Sequence, residues 1–146
     1  LSIGVETCGM FDWSEISGIA DKFDFFYFDL KCMDNDIHKS VTGSTNEKIL
    51  TNLKSLAEKY SEKIIISIPV VPGVNDSEMQ IKAIAEYCSG IGIKRLRFLP
   101  YHSLGESKYS YLGREYTMNK DLSVSTNQLN EYKSLVESYR IRCWLE

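Results

Sequence analysis

None of the four cysteines, Cys8, Cys32, Cys88 and Cys143, lies within four residues of another. That spacing excludes a local CxxC pair or a CxxxCxxC cluster motif within the chain. The opening residues Leu1 to Val5 carry no charge, so no secretion signal is read there. Wide cysteine spacing without a secretion signal points to free thiols in a reducing cytoplasm. No apolar run approaches the ~20 residues that span a bilayer. Positive charge is not in surplus either: the formal net charge is −3, which offers no general attraction to nucleic acid or an anionic membrane. There is no phosphate-binding P-loop, no dinucleotide glycine fingerprint, no Ser/His/Asp order, no fixed-period repeat and no low-complexity tract.

What remains is an ordinary globular composition, 43% hydrophobic and 25% charged over 146 residues. It fits one domain, residues 1–146, with a real core. Strand-like and helix-like segments alternate. Leu1 to Glu6 reads as a strand, and Trp13 to Lys22 as a helix on the spacing of Ile16, Ile19 and Ala20. Phe25 to Leu30 is a continuous apolar and aromatic run, as in a strand buried on both faces. Asp34 to Lys39 reads as a short helix ended by Gly43, and Thr45 or Asn46 caps a long helix through Lys59. Ile64 to Val71 is the next strand. Asp76, or else Ser77, caps a helix to about Cys88, and Arg95 to Leu99 is a strand that Pro100 ends. A helix from Ser125 or Thr126 to Tyr139 and a strand from Ile141 to Leu145 close the chain, after an irregular polar stretch from Ser107 to Ser125. The βα order implies parallel strands with crossover helices outside. A closed eight-stranded barrel needs about 250 residues, so the choice lies between an open α/β sheet and part of a barrel. The chain opens inside a strand and without methionine, so a longer parent protein is expected.

In such sheets the C-terminal strand ends share the edge where ligands bind. Read in order, those ends carry Glu6-Thr7, Asp29-Leu30-Lys31, Val71 to Asp76, and Leu99-Pro100-Tyr101-His102. Side chains alternate along a strand, so Asp29 and Lys31 share a face. Lys31 suits a carboxylate, and Asp29 a hydroxyl or cation; the plainer alternative is a solvated ion pair. Thr7 as a cap on the turn into Gly9, and Asp76 as a helix N-cap, are similar structural alternatives. Arg95 and Arg97 alternate with Leu96 and Phe98, which reads as a half-exposed strand rather than an anion site. His102 just past a strand end is either a loop histidine or a site group.

Taken as an ordered set, several segments resemble one family. They are Glu6-Thr7-Cys8-Gly9, Asp29-Leu30-Lys31, His38…Thr42-Gly43…Asn46…Ile49-Leu50, Val70 to Asp76, and Leu99-Pro100-Tyr101-His102…Leu104-Gly105…Lys108-Tyr109…Leu112-Gly113. The chain resembles the C-terminal portion of the radical S-adenosylmethionine enzymes that activate glycyl radical enzymes, typified by pyruvate formate-lyase activating enzyme. The resemblance implies an incomplete (β/α)6 barrel of the TIM type, of which this chain supplies roughly the later four strands. It also implies a cytoplasmic oxidoreductase that uses S-adenosylmethionine and a [4Fe–4S] cluster. Its protein substrate would be a glycyl radical enzyme, and its electron donor a flavodoxin or ferredoxin-type protein. Lys31 and His102 match positions that contact S-adenosylmethionine. Glu6, Thr7, Asp29 and Leu99 match the adjoining strand-end positions, with Glu6 standing where aspartate is common. Ser67 stands where many members carry an arginine facing the substrate peptide. The cluster's CxxxCxxC segment and a glycine-glycine-glutamate stretch fall upstream of Leu1 in the family, so this chain holds no metal ligand and is expected to be inactive alone. An exposed sheet edge left by missing strands makes a dimer an expectation. A different radical S-adenosylmethionine enzyme, or a non-catalytic α/β ligand-binding domain, is the competing reading.

Overall fold

The computed structural model describes residues 1–101, 106–115 and 122–146. Strands β1 (Gly4–Thr7), β2 (Phe25–Asp29), β3 (Ile64–Val70), β4 (Arg95–Pro100) and β5 (Arg142–Leu145) form one five-stranded sheet in sequence order. Every pairing is parallel. The connections run through helices α1 (Trp13–Ile16), α2 (Asn35–Thr42), α3 (Glu47–Tyr60), α4 (Glu78–Gly90), α5 (Glu106–Tyr111) and α6 (Thr126–Ser138).

One face of the sheet makes the core. Phe26, Phe28, Ile64, Ile66, Leu96 and Phe98 are buried there. They join Leu53 and Leu56 of α3, Ile81 and Ile84 of α4, and Leu129 and Val136 of α6 in one cluster. Each such side chain taken from water contributes about 1.5–3 kcal/mol, which outweighs the modest helix propensity of these short segments. The register lines up Asp29, Ser67, Arg97 and Trp144 as a row across the opposite face. That row, polar at its centre, carries the chemistry.

Several sequence expectations are corrected. The aromatic run is not buried on both faces: Phe26 and Phe28 are buried, whereas Phe25 and Tyr27 are half-buried on the polar face. The segment Trp13 to Lys22 divides into α1 and a 3₁₀ turn at Ala20–Lys22, with Gly18 between them. Asp76 is not the N-cap of α4. Its carboxylate accepts from the Gly73 N–H at 2.8 Å, while Ser77 caps the helix through the Gln80 N–H. Asn46 precedes α3 but makes no side-chain cap, because its amide is engaged elsewhere.

Candidate functional site

The chain leaves β2 at Asp29 and runs as Leu30-Lys31-Cys32-Met33 before α2 begins. Such an irregular, largely buried exit must find partners for its backbone groups. Three buried amides from three different places supply them. Asn75, in the turn after β3, donates to the carbonyl of Lys31 at 2.6 Å and to that of Pro69 at 2.8 Å, and accepts from the Val71 N–H at 2.7 Å. Asn46 donates to the carbonyls of Cys32 and Met33 at 3.0 and 2.8 Å. Gln80 of α4 accepts from the Met33 N–H at 3.3 Å and from the Cys32 thiol at 3.4 Å. Asn75 is only 1% exposed. Its amide thus fastens the backbone of Lys31 to the end of β3. In the sequence Asn46 reads as a helix cap and Asn75 only as part of a motif, and Gln80 goes unnoticed. A polar residue on the apolar face of α4 was the available signal.

Over this exit lies a cavity of about 160 Å³, lined by Cys8, Met10, Asp29, Lys31, His38 and Thr42 among others. Asp29 and Lys31 therefore do meet on one side of the sheet. Burial pushes the Asp29 carboxyl above its ordinary value, the nearby Lys31 ammonium opposes this, and Glu6 adds to it. Among the described residues the Lys31 ammonium makes no ion pair and no hydrogen bond. A half-buried cation near Asp29 but with no direct ion pair or hydrogen bond among the described residues suits an incoming anionic group. The floor near Cys8 depends on Gly9. It has φ +79°, and a Cβ there would lie 2.2 Å from the Phe28 ring. Thr7 accepts the Gly9 N–H at 3.0 Å, which is the turn-capping alternative.

The second polar cluster is centred on Arg97, and it overturns the half-exposed reading of that residue. Arg97 is 7% exposed. Its Nε donates to Ser67 Oγ at 2.7 Å, and its terminal nitrogens reach Glu146 at 2.5 Å and Glu6 at 3.4 Å. The guanidinium also stacks on Tyr27, 3.8 Å from the ring centroid. Strands β1 to β4, with Glu146 just past β5, bring these groups around one guanidinium, which outweighs the alternation argument. Arg95, half-buried with its guanidinium on the Glu62 carbonyl, does fit that argument. Ser67 is buried and bound to Arg97, and Leu99 is half-buried beside Pro69 on β4. His102 lies outside the described residues.

No cluster of His, Cys, Asp and Glu among the described residues is arranged to hold a metal ion. All four cysteines are free, and burial pushes the thiols of Cys88 and Cys143 up to about 12. Cys88 and Cys143 are packing thiols, and the described residues do not bring Cys8 and Cys32 together with other ligands to hold an iron–sulfur cluster. The Lys31 side chain does fit a carboxylate or other anionic group of a small molecule.

An open, all-parallel sheet with helices in its connections defines an α/β half-barrel. The sequence profile of the radical SAM superfamily matches residues 1–85, and the chain belongs to that superfamily. Curated relatives are activating enzymes. The isethionate sulfite-lyase activating enzyme of Oleidesulfovibrio alaskensis is 36% identical over 117 residues, covering 80% of this chain and 38% of the relative. The 4-hydroxyphenylacetate decarboxylase activating enzyme of Clostridioides difficile is 31% identical over 142 residues, covering 97% of this chain and 45% of the relative. The chain thus spans less than half the length of these relatives. In fold it is similar to a crystallised domain of pyruvate-formate lyase-activating enzyme from Bacteroides vulgatus. The TM-score there is 0.80 at 22% identity, covering all of this chain and 81% of that one. The expected partial barrel of the TIM type is therefore the fold.

Proposed function

We propose that this chain is the S-adenosylmethionine-binding and partner-facing part of an activating enzyme for a glycyl radical enzyme. The observation that carries the reading is the unpartnered Lys31 ammonium beside half-buried Asp29, at a strand exit of a radical SAM fold. The names of the relatives support the activating role. They include activators of a lyase, a decarboxylase and a dehydratase, so the proposal commits to the class of partner.

When bound, S-adenosylmethionine would supply, on one-electron reduction with loss of methionine, a 5′-deoxyadenosyl radical able to take a hydrogen atom from a glycine Cα of the partner, giving 5′-deoxyadenosine and a glycyl radical. The electron would come through a [4Fe–4S] cluster from a flavodoxin or ferredoxin-type donor, in the cytoplasm. The cluster's cysteines would belong to another segment of the whole protein. The residues of this chain bind and orient. Lys31 holds the carboxylate of S-adenosylmethionine, Asp29, Glu6 and Thr7 complete the strand-end edge with Leu99 of β4, and His102 is a further S-adenosylmethionine contact. Ser67, tied to Arg97, faces the side on which a substrate peptide enters.

The test uses the full-length protein, purified without oxygen and loaded with iron and sulfide. Reduced, and supplied with S-adenosylmethionine and its glycyl radical enzyme, it should release 5′-deoxyadenosine and give a glycyl radical signal in electron paramagnetic resonance. Replacing Cys8, Cys32, Cys88 or Cys143 by Ala should leave the cluster absorbance unchanged. A cluster-loaded protein that releases no 5′-deoxyadenosine would sink the proposal.

A further inference from the structure

The cavity over the β2 exit contains a second uncommitted polar group. His38 sits on α2 and is only 4% exposed. Its Nδ1 lies 2.7 Å from the Ser44 carbonyl and 3.1 Å from Thr42 Oγ1. A carbonyl can only accept, so a hydrogen is on Nδ1, and in the neutral form of the ring the lone pair is on Nε2. The Thr42 hydroxyl is itself committed to the His38 carbonyl at 2.8 Å. The loop that sets this geometry is fixed by Gly43, which ends α2 with φ +82° and donates its N–H to the Lys39 carbonyl.

Nε2 has no hydrogen-bond partner among the described residues. Yet every fully buried side-chain nitrogen or oxygen among them has one. Nε2 therefore touches open space, and the space that the ring lines is the cavity shared with Lys31 and Asp29. A mostly buried histidine that keeps one ring nitrogen open to such a cavity can take its donor from water or, when one is seated there, from a ligand. The volume, about 160 Å³, is below the ~300–1,000 Å³ of a whole small-molecule pocket, so it takes one end of a ligand.

We propose that His38 Nε2 accepts a hydrogen bond from an N–H or O–H group of S-adenosylmethionine when that molecule is seated on Lys31, making His38 a ligand-binding residue of the site. This rests on the functional reading above. It assigns the histidine of α2 a role separate from that of His102.

The experiment compares anaerobic titration of S-adenosylmethionine into the cluster-loaded full-length protein and two variants. His38→Asn keeps an amide N–H near the place of Nδ1, and so the bond to Ser44, but has nothing at Nε2. His38→Gln places an amide oxygen near Nε2. One neutral hydrogen bond corresponds to an affinity change of about threefold to tenfold. The expected result is a loss of that size in His38→Asn, with unchanged cluster absorbance and melting temperature, and a smaller loss in His38→Gln. A companion measurement needs no variant. Diethylpyrocarbonate modifies accessible unprotonated imidazoles, and S-adenosylmethionine should slow modification of His38 in the wild-type protein, read by peptide mass spectrometry. Unchanged affinity in His38→Asn, or unprotected His38 in wild-type protein that does bind S-adenosylmethionine, overturns this inference alone. Wild-type protein that binds no S-adenosylmethionine overturns the functional reading and this inference with it.

Discussion

The two charged regions on the polar side of the sheet differ in whether their groups are already partnered. Around Arg97, one buried guanidinium meets Ser67, Glu6, Glu146 and the Tyr27 ring. At the β2 exit, Lys31 and the Nε2 of His38 have no partner among the described residues, and Asp29 is held in a partly dehydrated place. Desolvating a charge is unfavourable unless contacts offset it. The first region offsets it within the fold and so acts as a brace between strands. The second leaves it open, which is the mark of a place that a ligand completes. The difference teaches that buried charge by itself does not locate a site; uncommitted charge does.

The largest effect should come from the clasp that supports the open region. Asn75→Ala leaves the Val71 N–H and the carbonyls of Lys31 and Pro69 without their partner. At roughly 1–3 kcal/mol for each stranded buried group, with water relieving part, a loss of about 3–5 kcal/mol is expected. For a domain of this size that lowers the melting temperature by about 10 °C. Calorimetry decides it, and a change under ~1 kcal/mol would mean that the β2 exit does not depend on this amide. Next in size, Lys31→Ala should weaken S-adenosylmethionine binding by about tenfold to a hundredfold, as a charge-assisted contact of ~1.5–3 kcal/mol is removed, while moving stability by less than ~0.5 kcal/mol. Arg97→Met should show the opposite pattern. Methionine keeps much of the volume, and Glu6 and Glu146 are exposed enough to return to water. What is lost is the Ser67 bond and the stack on Tyr27, about 1–2 kcal/mol of stability. Affinity for S-adenosylmethionine should change less than in Lys31→Ala. If the two variants gave the same pattern, the distinction between brace and site would be wrong.

How much of this was legible in the sequence depended on which forces were local. Strand order, parallel pairing and the alternation of helices follow from apolar runs and their spacing, and they match the structure. So does the meeting of Asp29 and Lys31, which needs only the two-residue period of a strand. The Arg97 brace was misread because its partners are 30, 49 and 91 residues away. No local pattern reports that five strands bring them together. Asn46 was read as a cap for the same reason: its position suits a helix start, and the competing carbonyls of Cys32 and Met33 are supplied by another strand exit. Gln80 is a polar residue on an apolar helix face, a visible oddity whose meaning required the fold, whereas Asn75 and His38 sit in polar stretches and show their burial only in the fold.

The smallest effect is the most direct probe of the comparison. Burial raises the carboxyl of Asp29 from its ordinary 3.8, while Lys31, with Arg97 behind it, works the other way. In the window between 3.8 and the raised value, the folded protein binds the proton that the unfolded chain has released. By linkage, stability due to this group is present below that window and is lost as pH rises through it. Above the window the carboxylate stands charged where water is scarce, and remaining solvent screens part of the penalty. Asp29→Asn removes the titration and keeps the shape. The variant should therefore be as stable as the wild type at low pH and more stable at neutral pH, by less than about 1 kcal/mol. Paired urea melts at pH 3 to 8 measure the difference. If the wild type instead gains on the variant as pH rises, the Lys31 pairing outweighs burial, and the β2 exit is a satisfied ion pair like the one at Arg97. If the difference follows the expected sign, and binding of S-adenosylmethionine narrows it, the ligand is supplying the contacts that the fold leaves open.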